Sequence, residues 1–461
     1  MQKLKVALLV CFIFSWLTPL QAQTYQPNWA SLDQRSTPNW WSESKFGIFI
    51  HWGIYSVPAY APVNEEKGVY EKYAEHYENK LLGKNEFFTK FHNKYFGPQV
   101  TYQDFAPQFK AEYFNPDEWA SLFEKSGAKY VVLTSKHHDG FCLWPSDQSP
   151  KWNSVDIGPH KDIIGELSNS VKKKGLNMGL YYSLLEWNHP LYNAKNINAY
   201  VDQHMIPQLK DLVNRYSPEV IFADGDWDYP SSVFKTEGFL SWLYNESPIK
   251  KSVAVNDRWG KETRGKHGGY YTTEYDLGKD EIASDNKVIH PWEESRGIGT
   301  SYGYNKFETA EHYSSSANLI KLLIEKVAGG GNLLLDIGPD ANGLIPVVMQ
   351  ERLLDMGAWL KVNGEAIYNT TAVPAKLASI KNKDIHLTKK GNDLYVLCTQ
   401  WPDQPIFIDG LSKLGNTSML GLKKKIQSHL KNGKLIITPP TLLPNQVPCQ
   451  SAWSFKIENV F

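Results

Sequence analysis

The sequence predicts an α/β fold: a (β/α)8-like TIM barrel followed by a small antiparallel β-sandwich. Three observations predict it. Short apolar runs alternate with helical stretches as far as about Tyr368, the rhythm of repeated strand–helix units. Polar and charged residues collect where several runs end, at His51, His137-His138, Tyr182, Asp224 and Asp257-Arg258. Barrel enzymes place their chemistry at such carboxyl ends, which favours a barrel over an open sheet. Beyond Tyr368 the runs shorten and turn residues separate several of them.

The elements follow in order. Residues 1–22 carry Lys3 and Lys5, an apolar run from Val6 to Leu17, then small or polar residues around Gln21-Ala22-Gln23. That is the pattern of a secretory signal cleaved after Ala22. The run is shorter than the roughly 20 residues a spanning helix needs, and no later segment is apolar enough to span. Buried parallel strands are predicted at Phe46–His51, Tyr130–Ser135, Met178–Ser183, Val220–Asp224, Ser252–Asp257 and Asn332–Gly338. Asn115-Pro116-Asp117-Glu118 opens a helix with a capping Asn, a first-turn Pro and two acids, and Gly127 stops it. Further helices are expected at Lys161–Lys174, Ile206–Tyr216 and Asn318–Ala328. Strand-like runs at Ile385–Thr388, Leu394–Thr399, Ile406–Ile408, Leu435–Thr438 and Ala452–Ile457 make the second domain. The expected division is 1–22 signal, 23–370 barrel, and 371–461 β-sandwich packed as a cap on the barrel.

Composition narrows the function. Lys+Arg and Asp+Glu both total 49, which removes a broad electrostatic case for nucleic acid or an anionic membrane. The chain is aromatic-rich, with 16 Trp, 25 Tyr and 20 Phe, and core packing is the favoured reading of that excess. Neither a glycine-rich dinucleotide fingerprint nor a phosphate-cradling loop occurs, and CxxC and HExxH are missing, so zinc has little support. Cys142, Cys398 and Cys449 remain after the signal. Cys398 and Cys449 are close enough in sequence to pair, but buried thiols are favoured.

Several residues can carry chemistry. Ile221-Phe222-Ala223-Asp224-Gly225-Asp226-Trp227 sets carboxylates just past a strand, and Asp224 is best placed to point into a barrel mouth as a nucleophile. Capping of the loop is the plainer alternative. His137 and His138 suit hydrogen bonding to substrate hydroxyls. They make a poor metal pair if the segment is extended, because neighbouring side chains then diverge. His51 poses the same choice between a substrate contact and a structural role. Glu274 and Glu293 are the acids that can protonate a leaving oxygen, and an aromatic setting raises such a carboxyl's pKa. Arg258 can orient a carboxylate or pair with Asp257.

Together these segments resemble the α-L-fucosidases of glycoside hydrolase family 29. The carrying motifs are FGIFIHWGIYS (46–56), AKYVVLTSKHHDGF (128–141), WNSVDIGPHKD (152–162), GLYYSLLEWNHPLY (179–192), NDRWG (256–260) and GNLLLDIGP (331–339). Two of them are especially similar to the animal lysosomal type. The resemblance implies a retaining exo-glycosidase that needs neither metal nor cofactor and acts on a fucosylated oligosaccharide or glycoconjugate. It implies Asp224 as nucleophile and Glu274 as general acid/base, with Glu293 as the alternative. It implies His51, Glu71, His137, His138, Tyr182 and Arg258 as substrate contacts. A non-catalytic fucose-binding protein and a retaining glycosidase of other sugar specificity are the competing readings. The signal implies export to periplasm, cell exterior or lysosome. Homo-oligomerisation is left open.

Overall fold

The structure is a computed structural model that describes residues 24–63, 68, 71–276, 290–374, 377 and 382–461. The signal expected at 1–22 lies outside these residues. Eight parallel strands form one curled sheet: β1 (Phe46–Ile50), β2 (Tyr130–Lys136), β3 (Asn177–Ser183), β4 (Val220–Asp224), β5 (Ala254–Val255), β6 (Tyr271–Glu274), β7 (Trp292–Gly297) and β8 (Asn332–Ile337). Their order is β5-β4-β3-β2-β1-β8-β7-β6. A parallel bridge between Asn256 and Tyr270 joins the two end strands and closes the ring.

The expected helices form, and local chemistry shows why. The Asn115 side chain accepts from the Asp117 and Glu118 N–H groups at the start of Pro116–Ser126, and Gly127 ends it at φ 85. Asp162 caps Ile163–Lys173 and Ser315 caps Ser316–Ala328. Helix Ile206–Tyr216 has the predicted bounds. Helix Val347–Asn363 was not anticipated. It packs so closely on Pro116–Ser126 that a Cβ at Gly357 would fall 1.8 Å from the Lys125 carbonyl oxygen.

Strands β6 and β7 were also missed, because Tyr-Thr-Thr-Glu and Trp-Glu-Glu-Ser-Arg-Gly carry no apolar run. Their polar groups satisfy one another inside the wall. The Arg296 Nη2 donates to Glu294 Oε1 at 2.7 Å, and the Thr273 hydroxyl donates to the other oxygen of the same carboxyl.

Side-chain alternation divides the barrel into two layers. Phe49, Tyr130, Val132, Tyr181, Val220, Phe222, Ala254, Tyr270 and Leu334 form an inner cluster. Ile48, Ile50, Val131, Leu133, Leu180, Tyr182 and Ile221 join the larger cluster beneath the helices. Much of the aromatic excess is therefore core, with Trp41, Trp52, Trp144 and Trp259 fully buried.

The second domain is wholly antiparallel. One sheet runs β13 (Thr417–Met419), β16 (Trp453–Ile457), β11 (Asp393–Cys398), β10 (Ile385–Lys390) and β9 (Thr371–Ala372). The other runs β12 (Ile406–Asp409), β15 (Lys434–Thr438) and β14 (Gln427–Lys431). Leu394, Val396, Phe455 and Ile457 of the first face Ile406, Ile408, Leu435 and Ile437 of the second in one core. The domain packs on the barrel: the Trp359 indole donates to the Ala452 carbonyl at 2.9 Å, and Thr388 donates to the Ala366 carbonyl. Cys142, Cys398 and Cys449 are free thiols.

Candidate active site

A cavity of about 540 Å³ opens at the carboxyl ends of the barrel strands. His51, His137, His138, Asp224, Arg258 and Glu274 all line it. Asp224 closes β4, and Gly225 at φ 76 turns the chain away. One carboxylate oxygen of Asp224 accepts from Arg258 Nη1 at 2.9 Å; the other accepts from the Tyr181 hydroxyl at 2.8 Å. Burial alone would raise its pKa. The guanidinium of Arg258, with that of Arg264 as a weaker second cation, overcomes burial and holds the carboxylate ionised far below its ordinary range.

Glu274 closes β6. It accepts from the Tyr73 hydroxyl at 2.7 Å, and Arg258 Nη2 lies 3.5 Å from its other oxygen. One guanidinium therefore spans both carboxyls. Its own strand neighbour Asp257 is not its partner, because Asp257 accepts from Thr272 and the Gly265 N–H instead.

Glu293, the alternative acid, lies elsewhere. Thr272 and Glu293 are register partners, as are Glu274 and Ser295, so Glu293 stands one pleat below the level of Glu274. It is 1 % exposed, accepts from the buried Tyr130 hydroxyl and does not line the cavity. Burial pushes its carboxyl up to about 8.

Two expected sugar contacts also fall outside the cavity. Tyr182 points into the helical layer, where its hydroxyl donates to Gln208 at 2.8 Å. Its neighbour Tyr181 takes the inward position, as strand alternation requires. Glu71 is not among the lining residues, whereas Glu75 and His76, a few residues later, are. Glu75 is 2 % exposed and accepts from the Gly303 N–H at 2.8 Å; burial raises its carboxyl to about 7. The signal was present in Tyr73-Ala74-Glu75-His76-Tyr77, which sits beside the similar Tyr70-Glu71-Lys72-Tyr73.

The histidines correct one expectation. The chain leaves β2 after a register shift between Thr134 and Lys136, so His137 and His138 do not diverge. Their rings lie 4.2 Å apart in the same cavity. His138 Nδ1 is 2.5 Å from the Ser183 hydroxyl, which itself donates to the Leu185 carbonyl at 2.6 Å. A hydroxyl has one proton to give, so His138 Nδ1 carries the proton of that bond and Nε2 turns a lone pair to the cavity. Burial lowers His138 to about 4 and His51 to about 3, so both imidazoles are neutral hydrogen-bonding groups. His51 Nδ1 is held by Asp336 at 2.7 Å.

Among the described residues, two clusters bring metal-type ligand atoms within 4.8 Å of one another: His76/His137/His138, and Glu186/His189/His204. In the second, the buried Lys136 ammonium already donates to Glu186 at 2.6 Å. The first faces the cavity with neutral imidazoles, which suit hydroxyl groups as well as metals. Trp227, 47 % exposed, stands at the rim with Lys261 and Arg264.

Two inward carboxyls under one arginine, ringed by neutral imidazoles and aromatics, fit the hydrolysis of a sugar. Comparison with known proteins specifies the sugar. Residues 13–365 match the family model described as alpha-L-fucosidase, and residues 379–458 match that of the alpha-L-fucosidase C-terminal domain. The chain is 41 % identical to the tissue alpha-L-fucosidase of Bos taurus over 95 % of this chain and 92 % of that one. It is 45 % identical to the alpha-L-fucosidase of Dictyostelium discoideum over 90 % of each. The crystal structure of Thermotoga maritima alpha-fucosidase with a mechanism-based inhibitor superposes with a TM-score of 0.80 at 35 % identity, covering 94 % of this chain and 99 % of that one. Sequence, fold and cavity thus agree, and the chain belongs to the alpha-L-fucosidase family.

Proposed function

We propose that this α-L-fucosidase releases terminal α-L-fucose by double displacement, with Asp224 as nucleophile and Glu274 as general acid and then base. The observation that carries the assignment is Arg258, which contacts both carboxyls across one cavity. Asp224 is ionised, as a nucleophile must be, and Tyr181 and Arg258 fix the direction of its oxygens. It attacks the anomeric carbon while Glu274 gives its proton to the departing glycosidic oxygen. Glu274 then takes a proton from water, the water oxygen attacks the same carbon, and the bond to Asp224 breaks. Two inversions return fucose with its original configuration. His51, His137, His138 and Glu75 bind the sugar hydroxyls.

The test is fucose release from an aryl α-L-fucoside. Asp224→Asn is expected to lose on the order of 10³-fold or more in kcat. Glu274→Ala should lose about 10²–10⁴-fold, with azide restoring turnover of substrates that have good leaving groups. Rescue confined to Glu293→Ala would reverse the assignment of the acid.

The fucosylated glycan or glycoconjugate meets the enzyme outside the cytoplasm in this reading, after removal of residues 1–22. N-terminal sequencing of the exported protein should begin at Gln23.

A further inference from the structure

The β-sandwich carries a second cavity, of about 490 Å³, far along the chain from the catalytic residues. Its walls are the connection from β11 to β12 and the segment that follows β15. The first supplies Trp401, Pro402, Asp403 and Pro405; the second supplies Pro439, Pro440 and Thr441, and Thr438 at the end of β15 and Trp453 at the start of β16 complete the lining. Trp401 and Trp453 are half-buried against the domain core and cross edge to face at 5.1 Å. The Trp453 indole N–H is fixed on the Cys449 carbonyl at 3.0 Å. Proline has a fixed φ and no N–H, so four prolines make walls that are formed before any ligand arrives.

The chemistry of the lining selects a ligand. Indole faces stack on flat apolar surfaces. The Asp403 carboxylate is exposed and makes no ion pair or hydrogen bond among the described residues, and it can only accept. The occupant must therefore offer a flat C–H face together with donors. A proline-rich peptide offers the first but presents carbonyl oxygens, which cannot donate to the Asp403 carboxylate. A β-linked hexopyranose offers both: axial C–H groups on its faces and hydroxyls around its edge.

We propose that this groove is a glycan-binding site, separate from the catalytic cavity, for β-linked hexose or N-acetylhexosamine units of the oligosaccharide that bears fucose. One sugar stacks on Trp401 while its hydroxyls donate to Asp403. The naming of the ligand rests on the glycosidase reading, but binding is measured without turnover, so the two fail separately.

The experiment uses the full chain with its barrel cavity saturated by L-fucose. Saturation-transfer NMR and calorimetry are run with N-acetyllactosamine, cellotetraose and a polyproline decamer. Binding of either sugar at millimolar concentration is expected, and which one binds identifies the source of the glycan. Asp403→Asn and Trp401→Ala should each weaken it about 10-fold, with unchanged kcat and KM on a small aryl α-L-fucoside. Trp401→Phe keeps the test open if the alanine variant does not fold. Absence of binding by both sugars, binding unaffected by Asp403→Asn, or binding of the decamer alone would overturn the proposal.

Discussion

At the residue scale, the site was legible wherever a strand end announced it. Asp224, His51, His137, His138, Arg258 and Glu274 were named from sequence and lie in one cavity. The misplacements have a common cause, which is that phase along the chain decides which neighbour points inward. Tyr181 displaces Tyr182 by one residue of alternation. Glu75 stands where Glu71 was expected, because two similar clusters adjoin and only folding separates them. Glu75→Gln is therefore expected to raise KM for an aryl fucoside about 10-fold or more, while Glu71→Gln stays within about 2-fold; the reverse order would restore Glu71. Ser183 is a positioning residue by the same logic, since its hydroxyl decides which nitrogen of His138 carries the proton. Ser183→Ala should raise KM more than it lowers kcat, by about 10-fold, with Ser183→Thr recovering part of the loss. Kinetics of the pair check this, and a loss confined to thermal stability would refute it.

At the element scale, apolar strands and capped helices were readable, whereas β6 and β7 were not. A strand recognised by its apolar run is invisible when polar and charged groups occupy both faces, as Glu274 and Glu293 do on the inner side and Glu294 and Arg296 on the other. The same feature sets a pH dependence. Glu293 on β7 has an ordinary pKa of 4.5, and burial raises it to about 8 in the fold. The folded chain then holds a proton that the unfolded chain releases, so this group's contribution to stability declines as pH rises from about 4.5 to about 8. Glu293→Gln removes the dependence. Its Tm relative to the parent should climb across that window, by an amount equivalent to about 5 kcal/mol. A difference that does not vary with pH would show that Glu293 is ionised in the fold.

At the scale of the whole molecule, the barrel and the β-sandwich have different histories of legibility. The barrel could be foreseen because its parallel strands are buried on both faces and read as apolar runs. The β-sandwich could be foreseen as a class, but β9, β13 and β14 could not be placed. The first two have only two and three residues, and β14 alternates half-buried with exposed residues. The cap is fastened to the barrel through Trp359 and Thr388, on elements other than the strand ends that form the catalytic cavity. The mechanism proposed above turns on the barrel mouth, and the step that defines it is a covalent bond between sugar and Asp224. The most direct measurement is peptide mapping by mass spectrometry after incubation with a 2-deoxy-2-fluoro-fucosyl fluoride. One fluorofucosyl group is expected on the peptide containing Asp224 and none in Asp224→Asn. Labelling of another carboxylate, or turnover of the reagent without any covalent adduct, would contradict it.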